Sequence, residues 1–135
     1  MSMLKKATNK MSYGKVGLYG TAGSGKTRTA AEIAIGIVQY SKNPKPVAMF
    51  DTEPAASFII PLFEKAGIGF LVYDESRAFS DLMSFTEEAK DVCSVAIVDS
   101  ITHVWRDLQE SYLARMNDFR KRDNKRPLTS LEFQH

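Results

Sequence analysis

Residues 20–27 read Gly-Thr-Ala-Gly-Ser-Gly-Lys-Thr. No other stretch constrains the chain as tightly. Gly20, Gly25, Lys26 and Thr27 satisfy the pattern G-x-x-x-x-G-K-[ST], and the flanks fit the geometry that such a loop needs. An apolar run, Val16–Tyr19, precedes it and reads as a short strand. From Lys26 to about Tyr40, Ala30, Ile33, Ala34, Ile37 and Val38 recur at helical spacing. Glycines at these positions let backbone N–H groups turn inward toward an anion. A helix starting at the end of the loop adds the positive end of its dipole. Lys26 is then a point charge for the β- and γ-phosphates of a nucleotide, and Thr27 offers a hydroxyl to Mg²⁺. The nucleotide-binding segment is accordingly Gly20, Thr21, Ala22, Gly23, Ser24, Gly25, Lys26, Thr27 and Arg28. The bland alternative is a glycine-rich turn with a solvent-facing lysine.

Beyond the loop, apolar runs and helical patterns alternate. Asn43-Pro44-Lys45-Pro46 breaks the chain before a second strand, Val47–Phe50, that ends at Asp51. Ile59–Ala66 reads as a short helix with Gly67 as its C-terminal cap. Phe70–Tyr73 is a third strand. Ser80 is placed to cap a helix running to about Val92, with Leu82, Met83, Phe85 and Ala89 on its apolar side. Val95–Val98 is a fourth strand ending at Asp99, and a last helix runs from about Thr102 into a basic stretch. This order implies an α/β fold with a mainly parallel sheet and helices on both faces.

In such sheets ligands lie beyond the carboxyl ends of the strands. Asp99 therefore falls on the edge that carries the loop, where it could hold Mg²⁺ through a water. Asp51 and Glu53, in Met-Phe-Asp-Thr-Glu-Pro, follow the second strand onto the same edge. A carboxylate beside a γ-phosphate can orient and deprotonate an attacking water. Which of the two reaches depends on the shape of the turn. Taken in isolation, Asp51 would cap a turn and Glu53 would be solvated.

The segments GTAGSGKT, FDTEP and VAIVDS, in that order and spacing, resemble those of the RecA-like P-loop ATPases. The look is nearest to compact phage and prophage RecA-like AAA nucleotide-binding proteins. The resemblance runs from about Tyr13 to His103. It implies a three-layer P-loop NTPase core binding ATP and Mg²⁺, with Glu53 as the catalytic base, Lys26 on the phosphates, and Thr27 and Asp99 on the metal. It implies roles in DNA recombination, repair or phage DNA metabolism. Single-stranded DNA, a single-strand binding or annealing protein, and further copies of the chain would be partners. In that family later strands follow, one of them between the phosphate-loop strand and the strand ending in Asp99. The sequence stops at Leu131–His135 before any such strand. The core is therefore expected to be incomplete on its C-terminal side, with weak or no ATP turnover from these residues alone.

The division expected is an N-terminal arm, residues 1–12, and one nucleotide-binding domain, residues 13–135. With 18 basic and 16 acidic side chains in 135 residues, net charge does not itself argue for nucleic acid. Residues 115–126 do concentrate charge, six basic against two acidic side chains, a local +4. This is either a DNA or intersubunit contact, or a solvated helix end whose cations suit the dipole, and the second reading is preferred. His103 and Trp105 are expected to serve packing, Trp105 against the sheet or a partner. Cys93, the only cysteine, reads as a small buried hydrophobe. With no disulfide framework, no signal peptide and no membrane span in the sequence, a cytoplasmic setting without a membrane partner is expected. The competing function is a small-molecule or nucleoside kinase, using Asp51 or Glu53 to bind an acceptor hydroxyl. The absence of N-K-x-D argues against a GTPase.

Overall fold

The computed structural model describes residues 13–131. The proposed arm, 1–12, and residues 132–135 lie outside the described residues. The elements run α1 (Lys26–Ser41), β1 (Val47–Asp51), α2 (Ala56–Ala66), β2 (Phe70–Tyr73), α3 (Phe79–Val92), β3 (Val95–Asp99) and α4 (Ile101–Arg122). The three strands form one parallel sheet in the order β2-β1-β3. This is the α/β architecture of a partial P-loop NTPase core.

β1 is central, and all five of its residues are buried. That explains its unbroken apolar run, since a parallel strand covered on both faces has no polar side. Val47 and Met49 point to one face, where Ala31, Ala34 and Val38 of α1 and Ala56, Ile59 and Phe63 of α2 close over them. Phe63 stacks on Phe70 at 4.2 Å between ring centroids. Ala48 and Phe50 point to the other face, under α3 and the start of α4. There Ala48 packs with Ala89 and Cys93, and Phe50 with Leu82 and Val104. The register pairs Asp51 with Asp99, so two strands end side by side on a carboxylate.

Some local expectations change. Val16–Tyr19 is not a strand: it pairs with none of the described residues, and Val16 and Tyr19 are 67% and 99% exposed. Gly17 interrupts the run and Gly14 and Gly20 flank it, and glycine weakens a strand that has no ladder to join. Among the described residues, no strand lies on the far edge of β3. In α1, Ala31 rather than Ile33 or Ile37 faces the sheet, because small side chains let the helix approach closely. Helix α2 starts three residues earlier than its apolar pattern, because Asp51 accepts from the N–H groups of Ala55 and Ala56, both at 2.8 Å. Helix α3 is not capped by Ser80, which lies inside its first turn; Ser76 Oγ instead accepts from Ala78 N. Met83 of α3 stays exposed.

Candidate functional site at the strand ends

The glycine-rich loop meets α1 through two left-handed residues, Gly23 at φ 75° and Gly25 at φ 86°. Such angles are strained for any side-chain-bearing residue. Gly20 needs its bareness for another reason: a Cβ there would stand 2.8 Å from Ser24 Oγ. Helix α1 begins with no side-chain cap and no acidic residue in its first turn. Its leading N–H groups and positive dipole end are thus left to an external anion. Lys26 Nζ donates to the carbonyls of Gly20 at 3.0 Å and Thr21 at 2.9 Å, which lays the ammonium across the loop. Arg28 pairs instead with Glu32 at 2.9 Å along the exposed side of α1.

Packing of α1 against β3 brings Thr27 to Asp99. The Thr27 hydroxyl donates to Asp99 Oδ2 at 2.5 Å, across 72 residues of sequence. Two hard oxygen donors in contact suit Mg²⁺, which takes one or two protein oxygens and completes its shell with phosphate and water. No group of three or more His, Cys, Asp or Glu that could hold a metal occurs among the described residues. The donor set therefore fits a metal that arrives with a nucleotide, and it does not fit a self-sufficient metal cage.

The two carboxylates after β1 have separate fates. Asp51 is 4% exposed, and its oxygens accept from the N–H groups of Glu53, Ala55 and Ala56. It shapes the turn and starts α2. The Glu53 side chain is half exposed. Its Oε1 accepts from Ser100 Oγ at 2.9 Å and lies 2.9 Å from His103 Nε2. Oε2 has no hydrogen-bond partner among the described residues.

Thr52 lies between them, 2% exposed, and its role is not signalled by any motif. Its N–H donates to Asp99 O at 2.6 Å. Its hydroxyl accepts from Ser100 N at 2.7 Å and lies 3.0 Å from Asp99 O and 3.2 Å from Ser100 O. Thr52 thus ties the ends of β1 and β3 together and sets Ser100 beside Glu53. His103, expected to serve packing, reaches Glu53 from the first turn of α4. The only hint in the sequence is its spacing: three residues past Ser100 is about one helical turn.

The remaining candidates stand apart. Cys93 is buried behind α3, and burial pushes its thiol up. An apolar cleft of about 250 Å³ lies between β2 and α3, lined by Leu71, Tyr73, Phe85, Ala89 and Val92, away from the loop. Trp105 is not packed on the sheet; it is 52% exposed on α4. No described helix is long and apolar enough to cross a membrane. A family model described as an AAA domain matches residues 12–129. No curated protein matches the chain.

Proposed function

Because the chain belongs to the AAA domain family, a family of nucleotide-binding ATPase domains, we propose that Gly20–Arg28 binds ATP and that Glu53 is the base for its hydrolysis. The observation that carries the reading is the meeting of Thr27 with Asp99, beside a Glu53 whose Oε2 is open. The loop N–H groups and α1 hold the phosphates, and Lys26 exchanges its carbonyl partners for phosphate oxygens. Mg²⁺, held by Thr27 and Asp99, would neutralise charge on the β- and γ-phosphates. Ser100 and His103 fix Oε1 so that Oε2 faces the attacking water and takes its proton. Asp51, fully engaged with backbone N–H groups, is left to structure.

The finer assignment is to the RecA-like branch, acting on DNA in recombination or phage DNA metabolism. The GTAGSGKT, DTE and VDS segments on one sheet edge support it. Single-turnover release of γ-phosphate tests the base directly. Glu53→Gln should bind ATP as the parent does and hydrolyse it about 10²- to 10⁴-fold more slowly. Unchanged hydrolysis would remove Glu53 from the role. Transfer of the phosphate to a nucleoside acceptor, in place of release to water, would favour the kinase reading.

A further inference from the structure

Helix α4 leaves the site at His103 and runs on past the sheet. Only Val104 of its residues is buried. Trp105, Tyr112 and Phe119 recur every seventh residue and are 52%, 53% and 48% exposed. Leu108, Arg115 and Arg122 recur at the same interval, offset by three. At about 100° per residue all six fall within roughly a 100° arc, one stripe along the helix. The order along it is Trp, Leu, Tyr, Arg, Phe, Arg. The guanidinium groups of Arg115 and Arg122 lie over the half-exposed Phe119 ring, 5.9 and 5.7 Å from its centroid, loose cation–π contacts that an incoming base and its phosphate can exchange.

The described residues after α4, 123–131, do not cover this stripe. They fold back on another face of the helix. Asn117 and Leu128 exchange two hydrogen bonds at 3.0 and 2.7 Å, and Arg120 Nε donates to Arg126 O at 2.7 Å. That return holds Lys125 and Arg126 close to the basic helix end. Asp107 and Glu110 fall well off the stripe, and Asp123 is paired with Lys125 at 3.1 Å; Asp118 borders it, three and four residues from Arg115 and Arg122, but forms no ion pair with either among the described residues.

We propose that the Trp105–Arg122 stripe of α4 binds single-stranded nucleic acid, its bases stacking on Phe119 and Tyr112 and its phosphates pairing with Arg115 and Arg122. The chemistry of the stripe selects this occupant. Aromatic faces interleaved with cations suit a polyanion whose units carry flat apolar rings. A second copy of α4 suits it poorly, because its seam would bury arginines with no acid on the stripe to meet them. About 24 Å of helix separates Phe119 from His103, so the surface is distinct from the phosphate loop. The inference rests on the DNA-directed part of the proposed function for its biological setting, and not on the ATP site.

Fluorescence anisotropy of a labelled oligo(dT) with the full chain tests it, alongside an abasic strand of equal length, a duplex and inorganic polyphosphate. Oligo(dT) should bind more tightly than all three. Phe119→Leu, which keeps an apolar helix former, should weaken oligo(dT) at least about fivefold and leave polyphosphate unchanged. Arg115→Gln with Arg122→Gln should flatten the slope of log affinity against log salt, by about 0.7 for each phosphate that no longer meets an arginine. Circular dichroism checks that each variant is folded. Equal affinity for oligo(dT) and the abasic strand, or no effect of Phe119→Leu in a folded chain, overturns the proposal. So does a dimer in sedimentation velocity that Phe119→Leu dissociates while oligo(dT) fails to bind. Fluorescent ATP analogue binding, measured on the same samples, separates the two readings: retained ATP binding without oligo(dT) binding refutes this inference alone.

Discussion

Thr52→Val removes one hydroxyl from a buried position and keeps volume and β-branching nearly constant. In the parent that oxygen accepts from Ser100 N at 2.7 Å and donates toward the carbonyls of Asp99 and Ser100. The variant strands the Ser100 N–H, at about 1–3 kcal/mol, and deletes the hydroxyl's own donation, at about 1 kcal/mol. Asp99 O keeps the Thr52 N–H at 2.6 Å, so its loss is partial. The expected destabilisation is about 2–4 kcal/mol. With a urea m-value of about 1–3 kcal/mol/M, the unfolding midpoint should fall by about 0.7 M or more. Thr52→Ser keeps the hydroxyl and loses only a methyl, so it should cost less than half as much. The same unfolding series gives both numbers. A Thr52→Val midpoint within about 0.2 M of the parent, or a serine variant as damaged as the valine one, would refute the claim that this hydroxyl joins β1 to β3.

Further outcomes follow from the same geometry. His103→Ala should leave ATP affinity unchanged and slow single-turnover hydrolysis about tenfold, the worth of one hydrogen bond to a charged group of about 1.5 kcal/mol; an equal loss in affinity would make it a binding residue instead. Gly25→Ala forces a side chain into φ 86° at the start of α1 and should both lower the melting temperature and weaken nucleotide binding, read by calorimetry on the same sample. Cys93, with its thiol raised by burial above the ordinary value of 9.0, should stabilise the fold fully below that value and lose the contribution as pH rises through the raised one. Against Cys93→Ala, the parent's unfolding midpoint should therefore drop further between neutral and strongly alkaline pH; parallel curves would contradict the assignment.

What can be read in the sequence is what local pattern controls. β1 and β3 are apolar runs closed by Asp51 and Asp99, and the loop carries its geometry in its glycines. Gly67 does end α2, at φ 68°. What escapes the sequence is non-local. Val16–Tyr19 has the composition of a strand, but strand formation depends on a partner edge that no local pattern reveals. The start of α2 depends on Asp51 reaching four and five residues forward. The fates of Asp51 and Glu53 stay open in the sequence because the shape of the turn decides them. The approach of Ser100 and His103 to Glu53 needs the β1–β3 register that sets Asp51 opposite Asp99. Trp105 reads as a packing residue by its size, yet α4 leaves the sheet before covering it.

On the proposed reading, three distant segments, the glycine-rich loop, the turn after β1 and the end of β3, form one Mg²⁺-dependent nucleotide site. Isothermal titration of the chain with a slowly hydrolysed ATP analogue, in Mg²⁺ and then in EDTA, tests it most directly when repeated on Asp99→Asn. Binding should be tighter in Mg²⁺ than in EDTA, and Asp99→Asn should bind in Mg²⁺ no better than the parent does in EDTA. Equal affinity under all these conditions, or no binding by the folded parent, would contradict that reading.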